Sequence, residues 1–265
     1  MTGLFKDKVA WITGASAGIG EAIALAFAAN GAVLVLSARS IEALDKVADK
    51  CKAMGAASVF VQPLDLAYSD GFGEIAADVV KQVGKIDILV NNGGVSQRAL
   101  VKDAPLDLYR QIMEINFFGT IALTKAVLPF MMANKSGQII TISSLVGKIG
   151  SPLRSGYAAS KHALHGFFDS LRAEVQDDNI KVLMVCPGFI KTNISVNALN
   201  AEGSHTGKMD KNQETGMMPS ALANKILSAL AAGKQEIYVG GRERLILYIK
   251  RFFPGLVNGI VRKKH

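Results

Sequence analysis

This sequence is short of cysteine, tryptophan and long apolar runs, and each shortage narrows what the chain can be. Only Cys51 and Cys186 occur in 265 residues. They stand far apart and match no metal-ligand spacing, so no metal site is expected. Both are read as buried thiols suited to a reducing compartment. No run approaches ~18 uninterrupted apolar residues, which argues against a membrane-spanning helix. The opening "MTGLFKDKVAWITGAS" lacks the basic-then-apolar order of a secretory leader, and a cytoplasmic place is expected. Acid is scarce after Gly240: Arg242, Arg244, Lys250, Arg251, Arg262, Lys263 and Lys264 face a lone Glu243. That tail carries +6 of the net +8, leaving a nearly neutral body. A basic body would suggest nucleic acid; this charge distribution does not.

What is present is an ordinary globular composition, 49% hydrophobic and 20% charged, enough for one sizeable domain. Apolar, β-rich runs begin at Val9, Ala32, Ser58, Ile86, Gln138, Ile180 and Glu236. Several show no alternation, as expected for strands buried on both faces. Helical stretches lie between them: 19–30, 41–54, 69–83, 107–134, 157–176 and 219–232. This rhythm predicts a single α/β domain, a Rossmann-type doubly wound parallel sheet of about seven strands with helices on both faces. Residues 1–240 form the expected catalytic and cofactor-binding unit, and 241–265 a basic amphipathic tail. In such folds ligands bind beyond the carboxyl ends of the strands.

After the first strand comes "TGASAGIG", Thr13 to Gly20. Gly14 permits a tight turn, Gly18 lets backbone approach a phosphate, and Gly20 lets the helix pack on the strand. The helix start then offers free N–H groups to an anion. A dinucleotide site is expected here. An NAD site usually places an acid about 20 residues further on, where it bonds the ribose hydroxyls. This chain has "LSARS" instead, with Arg39 able to hold a 2′-phosphate and Ser40 to add a hydroxyl. NADP (NADPH) is the expected cofactor.

The run "SGYAASKHAL" puts Tyr157 and Lys161 four positions apart, one above the other on a helix face. Together with "TGASAGIG", "NNGG" at Asn91 and "PGFIKT" at Pro187, it resembles the short-chain dehydrogenase/reductase family from about Lys8 to Asn193. The resemblance implies that Tyr157 is the general acid/base and that Lys161 lowers its pKa and bonds the nicotinamide ribose. It implies that Ser144, thirteen residues earlier, polarises the substrate oxygen, and that Asn116 in "EINFFG" holds a water in a proton relay. On the cofactor side it implies Ser16, Ile19, Asp65, Leu66, Asn92, Pro187, Gly188, Ile190 and Thr192, beside the glycines, Arg39 and Ser40. The family's usual N-N-A-G carries Gly93 in place of alanine, which puts strand-end rigidity in question.

A physical argument stands beside the resemblance. A phenol titrating near ~10 must shift by ~3 units to work near neutrality, about 4 kcal/mol. A cation 4 to 5 Å away at an effective dielectric of ~20 offers roughly 3 to 4 kcal/mol. The spacing is thus expected to aim the Lys161 ammonium at the Tyr157 phenol. His162 and His165, on the same helix, are expected as solvated positions.

Residues 193–218 lie where this family puts a substrate lid. Phe189, Ile194, Val196 and Leu199 are expected to line a lipophilic pocket. Arg154 holds an anionic group of the substrate or is a plain surface arginine. In the tail, Leu245, Ile249, Phe252, Leu256 and Ile260 recur at helical spacing among basic residues, and Pro254 breaks the helix or begins a second. Such a tail lies on an anionic membrane surface, on a partner subunit or on its own body. With "TNISVNALNAEG" it resembles the lipid- and steroid-directed branch of that family near dehydrogenase/reductase member seven. Some members of that branch reduce acyl- or alkyl-dihydroxyacetone phosphate.

The expected activity is NADP-dependent interconversion of a ketone and a secondary alcohol on a lipid- or steroid-like substrate. The resemblance implies a homodimer or homotetramer built on the helices near Asp107 and Tyr157. Two rival readings are a catalytically silent dinucleotide-binding regulator and a membrane-surface scaffold. The first should lack part of the Asn–Ser–Tyr–Lys set, which is complete here.

Overall fold

The computed structural model describes residues 3–262, so Lys263, Lys264 and His265 of the basic tail lie outside the described residues. The elements run β1 (Val9–Thr13), α1 (Gly18–Ala28), β2 (Val33–Ser37), α2 (Ile41–Ala53), β3 (Ser58–Val61), α3 (Phe72–Val83) and β4 (Ile88–Asn91). There follow α4 (Leu106–Met113), α5 (Gly119–Ala133), β5 (Gly137–Ile142), α6 (Ser155–Glu174) and β6 (Ile180–Pro187). The last are α7 (Lys211–Glu214), α8 (Pro219–Ala231), β7 (Glu236–Val239), α9 (Leu245–Phe252) and α10 (Pro254–Arg262). The seven strands form one sheet in the order β3-β2-β1-β4-β5-β6-β7, every pairing parallel. This is the Rossmann-type α/β fold expected from the strand–helix rhythm.

The unalternating strand runs have their reason in the two faces of the sheet. Ala10 and Ile12 of β1 point into one core with Phe27, Leu44 and Leu222 of α1, α2 and α8. Val9 and Trp11 point into the other, with Val79, Leu123 and Phe168 of α3, α5 and α6. Each large side chain so buried contributes about 1.5–3 kcal/mol. Trp11 is fully buried, and its indole N–H donates to Ser37 Oγ at 2.8 Å, so its polar atom is satisfied as well.

Strand order reverses between β1 and β4, the switch point where ligands bind in such sheets. Thr13 ties the two strand ends together: its hydroxyl donates to Val90 O and accepts from the N–H groups of Asn92 and Gly93.

The expected continuous helix 107–134 is interrupted. Between α4 and α5, Glu114–Phe118 forms a π-helical turn with Asn116 at its centre. Such turns insert a residue into the helix and recur at functional sites. Within Leu106–Ala133 an 18-residue window reaches mean hydropathy 1.4, so by length and composition the stretch is apolar enough to cross a membrane. Here Leu123, Val127 and Met131 pack it into the sheet core.

Candidate active site

The glycine turn meets its demands by backbone geometry. Gly14 and Gly18 have φ of 61° and 62°, in the left-handed region that side chains avoid. A Cβ at Gly20 would stand 2.2 Å from Gly14 O. Gly20 therefore packs helix on turn and does not line the cavity. The helix starts at Ala17 with no side-chain cap, leaving its first N–H groups for an anion.

Beside the turn is a cavity of about 680 Å³ lined by Gly14, Ser16, Gly18, Ile19, Arg39, Ser40, Asp65, Leu66, Asn92 and Thr192, among others. Arg39 is exposed and forms no ion pair among the described residues. Ser40 also caps α2, its Oγ accepting from Ala43 N. The Asn92 amide donates to Thr13 O and Gly14 O at 2.9 and 3.2 Å, so it holds the turn as well as facing the cavity. At the family departure, a Cβ at Gly93 would stand 2.6 Å from Leu66 Cδ1, the far end of a side chain that can turn aside.

A second cavity of about 1080 Å³ adjoins the first across Ile19, Asn92, Gly94, Thr192 and Ile194. Ser144, Tyr157 and Lys161 all face it, as do Pro187, Gly188, Phe189, Ile190 and Arg154. Leu199 does not. It is buried with Ala99, Leu108 and Ile112, because its backbone pairs with the loop after β4. Val196 is likewise absent from the lining.

Lys161 Nζ donates to Ile142 O at 2.8 Å and lies over the Tyr157 ring, 5.9 Å from its centroid. Burial pushes the Tyr157 phenol above its ordinary value; the Ser144 hydroxyl, then the charges of Arg154 and Arg98, pull the other way. Burial also lowers Lys161 to about 8, which weakens the cation assumed from spacing alone.

Asn116 reaches the same place through the π turn. Its Oδ1 accepts from Val95 N at 2.8 Å, and its Nδ2 donates to Val95 O and Ser160 Oγ. The side chain is thus spent on fixing the loop after β4 against α6.

Two features were not legible in the motifs. Gln97, fully buried, accepts from the N–H groups of Gly156 and Tyr157 at 2.6 and 3.3 Å. It caps α6 from another segment, where Arg154 at the N-cap position provides no side-chain bond. The only sequence signal is an amide six residues past the first asparagine of "NNGG", too generic to read. Asp210, from the lid segment, bridges Arg154 at 2.8 Å and Arg98 at 3.4 Å. Arg154 is therefore not a plain surface residue: it and Arg98 share one carboxylate beside the chamber that it lines.

His165 corrects the second histidine expectation. It is buried on α6, sharing a 2.9 Å hydrogen bond with Ser143 Oγ and lying 3.7 Å from Cys186 Sγ. Glu236 stands 3.4 Å from its Nδ1, but Lys148 and Tyr238 already hold that carboxylate. Helical periodicity turns this position inward where a lone polar residue looked solvated. Burial lowers its pKa to about 4. Between about 4 and the ordinary 6.5 the unfolded chain binds the extra proton, so stability falls as pH falls through that window. Denaturant titrations should show a loss of about 2–3 kcal/mol from pH 7 to 4 that His165→Gln lacks.

Parallel sheet, glycine turn at the switch point and a Ser–Tyr–Lys set in an adjoining cavity define a nicotinamide-dinucleotide oxidoreductase. The short chain dehydrogenase family model matches residues 8–203, and the chain belongs to this family. It is 40% identical over 255 residues to mouse dehydrogenase/reductase SDR family member 7B, covering 95% of this chain and 79% of the relative. Against the Anopheles gambiae SDR family protein 7-like the identity is 42%, covering 98% and 83%. Human SDR family member 7 is 40% identical, with 94% and 75% covered. Among solved structures, a Streptomyces avermitilis short-chain dehydrogenase aligns with TM-score 0.81 at 30% identity, covering 97% of this chain and 94% of that one. A Thermococcus sibiricus alcohol dehydrogenase complexed with 5-hydroxy-NADP aligns at 0.77 and 28%, covering 89% and 97%.

Proposed function

We propose that the protein is an NADP-dependent oxidoreductase that interconverts a ketone and a secondary alcohol on a lipophilic substrate. The observation that carries this is the junction of the two cavities: a phosphate-ready glycine turn beside the exposed Arg39 opens onto Ser144, Tyr157 and an apolar chamber. The fit to a dinucleotide rests on the uncapped α1, on the Gly14–Gly20 approach that no Cβ allows, and on the lack of an acid after β2. When bound, the nicotinamide exchanges a hydride with the substrate carbon.

The chain's own residues do the rest. Tyr157 gives or takes the proton at the substrate oxygen, and Ser144 holds that oxygen by hydrogen bonding. Lys161 keeps a positive charge beneath the phenol, and Asn116 fixes the wall of the crevice. Gly14, Ser16, Gly18 and Ile19 cradle the pyrophosphate, Arg39 and Ser40 the 2′-phosphate, and Asp65 and Leu66 the adenine. Asn92, Pro187, Gly188, Ile190 and Thr192 border the nicotinamide side. Phe189 and Ile194 line the apolar chamber, and Arg154, latched by Asp210, faces it.

The finer partners follow the same reading. Leu106, Phe118 and Met132 keep apolar area in solvent along α4 and α5, which supports a homodimer or homotetramer. The tail supports peripheral contact between an otherwise cytoplasmic protein and a membrane. The division into a catalytic and cofactor-binding unit, 1–240, and a basic amphipathic tail, 241–265, belongs to the same reading.

NADPH oxidation should proceed with ketones of rising chain length, kcat/KM climbing about threefold or more per two added methylenes, as apolar burial dictates. Equal rates across the series would remove the lipophilic assignment.

A further inference from the structure

We propose that α9 and α10 form a door between the substrate chamber and an anionic bilayer, one side walling the cavity and the other lying on lipid. This rests on the oxidoreductase reading above and names the source of its substrate: a lipid ketone drawn from the membrane.

The inward side is set by helix periodicity. Ile246 and Ile249 of α9, with Ile260 and Val261 of α10, line the chamber. Buried Val257 seats α10, and the Lys250 ammonium donates to Lys148 O, fastening the pair to the loop after β5. The outward side of the same helix carries Tyr248 and Phe252, at positions i and i+4, while Leu245 joins Ile246 and Ile249 on the chamber wall. It runs into the corner made by Phe253, Pro254 and Leu256. Tyr248, Phe252, Phe253 and Leu256 are 61%, 71%, 63% and 62% exposed, a cluster of large apolar side chains at one corner of the molecule.

Charge selects the occupant. Arg244, Arg251 and Arg262 of this segment are exposed, whereas Arg242 lines the chamber and Lys250 is tied to Lys148 O. The tail's acid, Glu243, is turned inward, accepting from Gly241 N at 2.9 Å and Phe189 N at 3.4 Å. The outward side chains of the segment are therefore apolar and cationic, the pattern of a segment lying in the headgroup boundary of anionic lipid. A second copy of the chain would bring the same three arginines face to face, which like-charge repulsion opposes.

Two measurements test this on the full chain. In co-sedimentation, the protein should pellet with vesicles containing about 30% phosphatidylserine and at least tenfold less with pure phosphatidylcholine, because the surface potential supplies part of the attraction. In NADPH oxidation, those anionic vesicles should raise kcat/KM for a long-chain methyl ketone tenfold or more. They should leave a short soluble ketone unchanged. The variant Phe252→Ser/Phe253→Ser/Leu256→Ser should lose pelleting and stimulation while keeping the short-ketone rate. Arg251→Glu/Arg262→Glu should do the same by charge alone.

Failure to pellet, or pelleting unaffected by both variants, overturns the door. A triple variant that changes from oligomer to monomer without vesicles assigns the corner to a second copy and overturns it equally. If the wild-type chain reduces neither ketone, the oxidoreductase reading fails separately, and pelleting still judges the surface.

Discussion

Replacing Tyr157 with phenylalanine is expected to lower ketone reduction by about 10³-fold or more, the upper range for loss of a positioned proton donor. NADPH affinity should stay within about twofold, since the ring keeps its volume and packing. Burial raises the phenol above its ordinary value, while the Ser144 hydroxyl and the charges of Arg154 and Arg98 pull it down. Single-turnover NADPH oxidation and fluorescence titration of bound NADPH separate the two effects. Turnover within tenfold of wild type would assign the proton to another group.

Arg39→Asp is expected to weaken NADPH binding by about 10- to 100-fold, the range for losing a charge-assisted bond worth about 1.5–3 kcal/mol. NADH use should rise at the same time, because a carboxylate after β2 is placed for the ribose hydroxyls. The site favours this reading: Arg39 is exposed, free of ion pairs among the described residues, and lines the cavity beside Ser40. The substitution should therefore invert cofactor preference with little change in kcat, read from initial rates with each dinucleotide. Unchanged NADPH affinity would place the phosphate elsewhere.

Much of the fold was legible because its cause is local. Unalternating β-rich runs, such as "VAWIT" and "IKVLMVCP", can only be strands covered on both faces, and the glycines of Gly14–Gly20 answer to backbone sterics within one turn. Family resemblance named Ser144, Tyr157 and Lys161, and all three line one cavity.

What escaped the sequence depends on distant partners. Gln97 caps α6 from 59 residues away. Asp210 draws Arg98 and Arg154 together across the lid. His165 is turned inward by packing on β6 and β7, and the Lys161 ammonium, over the Tyr157 ring, is held by a carbonyl of β5.

By itself the sequence determined the parallel sheet and the glycine turn after β1, since each follows from residue type and short-range spacing, while the reacting side chains were named only through family resemblance. Only the tertiary structure decided which groups are desolvated around Tyr157 and that residues of the tail line the chamber. Desolvation and long-range Coulomb terms depend on which segments fold over a group, and no stretch of sequence carries that information on its own.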